Sequence, residues 1–158
     1  MKQLTESFME KAVLLSKENI QSEKGGPFGA VIVKNGEIIS TGVNKVTVLN
    51  DPTAHAEIEA IRAACKVLNT FILDGCEIYS SCEPCPMCLS AIYWARISKI
   101  YYANTREDAA SINFDDEFLY EEIVKSPEQR KIPMIQIMLE SAGKVFEEWK
   151  NKTDKIHY

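Results

Sequence analysis

Histidine is scarce in this chain. Of 158 residues only His55 and His157 carry an imidazole, so any imidazole chemistry rests on one of two positions. A basic surplus is also missing. Lys and Arg number 18 against 23 Asp and Glu, a formal net charge of −5. A chain that grips a long phosphate backbone is more often basic, so the balance weighs against an RNA or DNA substrate. No apolar run is long enough to span a bilayer, and Met1-Lys2-Gln3-Leu4-Thr5-Glu6-Ser7 has no apolar signal core. The expected location is the cytoplasm, where thiols stay reduced. The cysteines number five, an odd count that reads better as metal ligands plus buried thiols than as a disulfide framework. Repeats, low-complexity runs and linkers are absent. At 46% apolar and 26% charged residues, the chain reads as one globular domain over residues 1–158.

What is present centres on Glu83-Pro84-Cys85-Pro86-Met87-Cys88, with His55-Ala56-Glu57 thirty positions upstream. His55, Cys85 and Cys88 give zinc three protein ligands, the count of a catalytic site, which leaves the fourth position for water. Glu57, two residues after the histidine, is the carboxylate such chemistry needs. A His-x-Glu followed by Pro-Cys-x-x-Cys is the pattern of zinc-dependent base deaminases. A lone Cys-x-x-Cys is weak, and a redox pair or a structural zinc competes with it. Cys82 gives the structural reading its foothold, because as a fourth ligand it would close the site. Proline chemistry at Pro84 places Cys85 and Cys88 one turn apart on a helix and leaves Cys82 behind in the strand-to-helix turn. The expectation for Cys82 is a buried, reduced thiol.

Along the chain, residues 3–20 read as an amphipathic helix through Leu4, Phe8, Ala12 and Leu15. Gly25-Gly26-Pro27 breaks it; no Lys-Ser/Thr follows, which argues against a phosphate loop. Gly29–Val33 and Glu37–Thr41 flank Asn35-Gly36, a hairpin signal. A second long helix opens at Asp51-Pro52-Thr53, with His55 and Glu57 in its first turn. Strands follow at Cys76–Ser80 and Lys99–Ala103, with a helix over Cys85–Ala95 between them. Residues 104–116 read as a loop, 117–124 as a short helix, Met134–Leu139 as a fifth strand, and Ser141–Lys152 as a last helix. The alternation predicts a three-layer α/β/α sandwich with a central five-stranded mixed sheet. Two helix N-termini would then meet at the metal, where their partial positive charge favours thiolate.

Pro52-Thr53-Ala54-His55-Ala56-Glu57, Cys82 through Cys88, and Ala91-Ile92-Tyr93-Trp94-Ala95-Arg96 resemble the cytidine deaminase superfamily. Within it the chain most resembles the bacterial guanine deaminases, nearly end to end, through Gly25-Gly26-Pro27-Phe28-Gly29-Ala30, Phe114-Asp115-Asp116 and the closing Tyr158. That resemblance implies hydrolysis of guanine to xanthine and ammonia, with attack at C2 and Glu57 carrying the proton. A guanine pocket wants an acceptor at the amine edge and a donor near O6 or N7. Asp116 can supply the first and the Asn44 amide the second, while Phe28 and Trp94 can line or stack on the ring. Three plainer readings stand beside these: Asp116 as a helix cap, Trp94 as core, Asn44 as a turn residue. The resemblance also implies that residues 153–158, ending on Tyr158, close the site as a lid, exchanged between the subunits of a homodimer. Two other functions stay open: a tRNA-specific adenosine deaminase, which shares the zinc ligands, and a non-catalytic zinc-stabilised binding domain. The last helix, with Phe146-Glu147-Glu148-Trp149-Lys150, lacks the arginine richness that the tRNA enzyme would bring.

Overall fold

A computed structural model describes residues 2–157. Asn35 and Gly36 both have positive φ, 53° and 79°, the backbone that a two-residue hairpin loop demands. They join β1 (Gly29–Lys34) to β2 (Glu37–Val43), paired antiparallel from Lys34↔Glu37 to Gly29↔Val43 with a register shift between Ile32 and Val33. Before the hairpin runs α1 (Lys2–Gln21). After it come α2 (Val46–Leu49), α3 (Ala56–Leu68), β3 (Cys76–Cys82), α4 (Pro86–Trp94), β4 (Lys99–Asn104), α5 (Arg106–Ser111), α6 (Glu117–Ile123), a 3-10 turn at Pro127–Gln129, and α7 (Glu140–Asn151). The sheet order is β2-β1-β3-β4. β3 pairs antiparallel with β1 and parallel with β4, and α4 supplies the crossover that a parallel pair requires.

The side-chain period of two splits the central strands between two cores. Val31, Val33 and Tyr79 face α1 and pack on Phe8 and Ala12. Ala30, Ile32 and Ile78 face the other way and pack with Ala56, Ala60 and Ala64 of α3 and Ile92 of α4. These are the three layers of an α/β/α sandwich around a mixed sheet. The alanines repeat every four residues, so α3 presents a flat small-residue face and lies close on the sheet. Gly42 on β2 completes the fit, since a Cβ there would stand 2.1 Å from the Ala56 carbonyl oxygen. Close approach at this point brings the first turn of α3 down onto the end of the sheet.

The expected fifth strand is not formed, and the sheet has four strands. Met134–Leu139 carries strand-like apolar residues, but Ile135 is 82% exposed and Met138 84%, and no ladder forms on this run among the described residues. Strand propensity describes a fit to a pleated, half-buried surface and supplies no partner of its own. Smaller differences lie in the connections. The second long helix starts at Ala56 rather than Asp51, because Asp51 Oδ1 accepts from Thr53 N–H at 2.8 Å and from Thr53 Oγ1 at 2.7 Å, a local turn. Residues 104–116 contain α5, capped by a reciprocal Thr105–Asp108 box. The chain forms two compact units, Met1–Glu117 and Phe118–Tyr158. The first holds the sheet and both cores. The second holds α7, and its tail folds back locally, Lys155 Nζ donating to the Lys150 carbonyl at 2.6 Å.

Candidate metal centre and active site

Two helix N-termini carry the metal-ligating residues. His55 is the N-cap of α3, in extended backbone at φ −73°, ψ 159°. Cys85 is the N-cap of α4, at φ −63°, ψ 166°, with Pro86 just inside the helix. Proline suits that first helical position and holds the preceding residue extended. Cys88 then falls one turn into α4 and turns to the same side. The turn that feeds α4 is braced from β4 and α5: Glu83 N–H donates to the Asn104 carbonyl at 2.8 Å, and Arg106 N–H donates to Glu83 Oε2 at 3.3 Å.

His55 Nδ1 stands 3.6 Å from Cys85 Sγ and 3.5 Å from Cys88 Sγ, and the three ligand atoms lie within 4.8 Å of one another. A tetrahedral ion with zinc–nitrogen and zinc–sulfur bonds of about 2.1 and 2.3 Å needs a nitrogen–sulfur edge of about 3.6 Å, so the donor set fits one zinc. Its charge state points the same way. A hydrogen bond from Cys88, followed by the His55 contact, holds the Cys85 thiol down at about 4. The same bond to Cys85, together with burial, pushes Cys88 up. Cys85 is thereby disposed toward the thiolate, the form in which cysteine binds a metal. His55 is shifted upward, first by its bond to Cys85.

Glu57 lies beside this cluster, 6% exposed. Its Oε1 accepts from Ser80 Oγ at 3.1 Å and its Oε2 from Cys88 Sγ at 3.4 Å. Burial, then the charge of Cys85, raises its proton affinity above the ordinary carboxylate range. Cys82 ends β3 rather than lying in the turn after it, and it is buried and outside the ligand group as expected. Its Sγ donates to the Thr105 carbonyl at 3.5 Å, and burial pushes the thiol up to about 11. Four cysteine or histidine ligands would close such a site; the described residues bring together three.

The residues expected to read a base are spread over connections. Asn44 follows β2 and is 7% exposed. Its Oδ1 accepts from Val46 N–H at 3.3 Å and Gly26 N–H at 3.4 Å. Two backbone donors fix which end of the amide is oxygen, and they leave its NH2 available to donate. Asn44 is thus a turn residue and an oriented donor at once. Phe28 precedes β1 and meets Phe114 edge-on, ring centroids 5.0 Å apart. Asp116 is half-buried, and its carboxyl is shifted upward by desolvation and then by the charge of Cys85. Asp115, one residue before it, is exposed and closes a local turn, its Oδ1 accepting from Glu117 N–H at 2.9 Å, while Asp116 stands immediately before α6. Trp94 is not brought to the cluster. It stands at the far end of α4, six residues beyond Cys88 and on the order of 9 Å along the axis, and is 71% exposed. It is not core either. Tyr158 lies outside the described residues.

Two contacts escaped the sequence. Ser80 was legible in principle: strand alternation places it on the face of Ile78, where a hydroxyl instead of an apolar side chain signals a polar partner opposite. The pairing of Phe114 with Phe28 gave no signal, since it depends on the path of the segment after α5.

Comparison with known proteins agrees with this geometry. The model of the cytidine and deoxycytidylate deaminase zinc-binding region matches residues 2–104, a span that holds Asn44, His55, Glu57, Cys85 and Cys88. A guanine deaminase of Bacillus subtilis is 54% identical over 97% of this chain and 98% of its own length. A tRNA-specific adenosine deaminase of Aquifex aeolicus is 55% identical, but over 51% of this chain and 54% of its own. The X-ray structure of the Bacillus subtilis guanine deaminase superposes with a TM-score of 0.94, covering 97% of this chain and 98% of that one. The chain belongs to the cytidine and deoxycytidylate deaminase zinc-binding family.

Proposed function

We propose that this protein deaminates guanine hydrolytically, giving xanthine and ammonia. The observation that carries the reading is likeness over the whole length to the Bacillus subtilis guanine deaminase, whereas likeness to the Aquifex aeolicus tRNA enzyme covers about half the chain. A net charge of −5 also suits a small purine base better than a nucleic acid. His55, Cys85 and Cys88 would hold one zinc ion, which when bound supplies a Lewis acid that makes water a competent nucleophile near neutral pH. Glu57 takes one proton of the attacking water and passes it to a ring nitrogen, then takes the second from the hydroxyl now on the ring carbon and delivers it to the departing amine, which leaves as ammonia. Ser80 holds one carboxyl oxygen, and the other lies 3.4 Å from the Cys88 sulfur, on the metal side of the site. Asn44 donates to O6 or N7 through its NH2, and Asp116 accepts from the amine edge. Phe28, with Phe114 against it, lines the flat ring. Trp94 takes part only if its exposed ring at the end of α4 meets a second subunit.

Residues 1–158 act in this reading as one catalytic domain with residues 153–158, including Tyr158, as a lid. Apolar side chains of the second unit, such as Ile137 at 78% and Phe146 at 80% exposure, favour a homodimer that covers them, with the C-terminal segment exchanged. Reduced ligand thiols suit the cytoplasm, and among the described residues no helix is long and apolar enough to cross a membrane. The test is a substrate panel scored by ammonia release from the zinc-loaded protein. Guanine is expected to react and adenosine in a tRNA loop is not. Deamination of the tRNA with guanine untouched would overturn the reading, and no turnover of either would favour a non-catalytic zinc-stabilised domain.

A further inference from the structure

One buried polar side chain serves neither the apolar cores nor the metal ligands. Asn19, near the end of α1, is 4% exposed. Its Nδ2 donates to the Gly26 carbonyl at 2.9 Å and to the Asn44 carbonyl at 2.9 Å. One amide nitrogen thus uses both of its hydrogens to tie two distant stretches of backbone together. The same two residues meet again through the Asn44 side chain, whose Oδ1 accepts from Gly26 N–H at 3.4 Å. Space at this junction is closed. A Cβ on Gly25 would stand 2.2 Å from the Asn44 carbonyl oxygen and 3.0 Å from Asn19 Nδ2. This explains Gly25 without a phosphate: it lets one backbone lie directly against another, while a Cβ on Gly26 would stand 3.3 Å from the Phe28 and Phe114 rings.

The terminal torsion of an asparagine is broad and roughly two-fold, so the direction of its amide is decided by the donors around it. For Asn44 those are Val46 N–H, two residues along the same chain, and Gly26 N–H, brought from the facing stretch, which Asn19 ties at Gly26 and Asn44 N–H ties at the Phe28 carbonyl, 3.2 Å away. We propose that Asn19 is a positioning residue for base recognition: by clamping Gly26 to residue 44 it fixes the Asn44 amide with its NH2 toward the substrate. The inference rests on the guanine reading, with Asn44 as the donor to O6 or N7. Asn19 acts through Asn44.

The test is a double-mutant cycle on kcat/KM for guanine, with Asn19→Leu, Asn44→Ala and the pair together. Asn19→Leu is expected to cost about tenfold when Asn44 is present and less than about twofold on top of Asn44→Ala. Asn19→Gln, which keeps the donors, should recover part of the loss. Guanine affinity measured on Glu57→Gln protein, where binding is read without turnover, should show the same coupling. Asn19→Ser replaces the leucine variant if that one does not fold. An equal cost in both backgrounds would mean that Asn19 is merely structural and overturns the inference, as would full guanine turnover by Asn44→Ala. A parent protein that leaves guanine untouched would mark failure of the substrate reading instead, and this inference would fall with it.

Discussion

His55 and Cys85 stand at the caps of two helices whose first turns carry Glu57 and Cys88, whereas Phe28, Asn44 and Asp116 stand on connections between elements. The metal side therefore takes its geometry from local rules. A proline at the helix start, a three-residue step and the alanine face of α3 together bring the ligand atoms to distances that suit the edges of a zinc tetrahedron. The recognition side has no such local rule. Asn44 is aimed by Gly26 and Val46, and Phe28 is met by Phe114 from far along the chain. In the proposed reading, the difference makes general chemistry and base specificity separable: the first is built into helix ends, the second into long-range packing.

Separability can be broken most severely on the metal side. Cys85→Ser and Cys88→Ser are each expected to lose the zinc and with it all measurable turnover, as read by metal analysis and ammonia release. The recognition side should fail without metal loss. Asp116→Asn is expected to keep one zinc per chain and lower kcat/KM for guanine about 10- to 100-fold, the cost of a lost charge-assisted hydrogen bond to a substrate donor. Asp115→Asn is the control, since Asp115 is exposed and only closes the turn before α6, and should stay within about twofold. Equal effects from the two would remove Asp116 from the pocket.

Deleting residues 153–158 tests whether the recognition side extends beyond the first unit. Zinc content is expected to hold while turnover falls about tenfold or more, because a lid excludes water and completes the pocket. Mixing this truncation with Glu57→Gln protein should restore some activity if the segment is exchanged between subunits. Loss without rescue on mixing would keep the lid and refute the exchange. The smallest effect belongs to Cys82→Ser. Zinc and most activity should persist, with stability changed by about 1 kcal/mol, since the hydroxyl can also donate to the Thr105 carbonyl. Zinc loss in that variant would mean that Cys82 is a ligand.

The same division governs what could be read from the chain. His55, Glu57, Cys85 and Cys88 were legible because ligand chemistry and helix spacing constrain them within a few residues. The hairpin at Asn35-Gly36 and the apolar stripes of α1 and α3 were legible for similar reasons. Met134–Leu139 was misread because its alternation says which residues could pack on a face and nothing about whether a neighbouring strand is present. Residues 104–116 concealed α5, whose capping box at Thr105 and Asp108 is visible only once the helix is suspected. Trp94 followed two motifs in sequence, yet nine residues of helix carried it away from the cysteines. Asn19 acts through two hydrogen bonds across the fold, to Gly26 and Asn44, and no local pattern marks such partners in advance.

The central claim is that Glu57 carries the proton at a three-ligand zinc centre. Its most direct test is Glu57→Gln, with zinc content and guanine turnover measured on the same sample. The account expects one zinc per chain, a melting temperature near that of the parent, and a rate reduced by roughly 10²- to 10⁴-fold, the contribution of a positioned general acid–base group. A zinc-loaded Glu57→Gln protein that forms xanthine at a near-normal rate would contradict it.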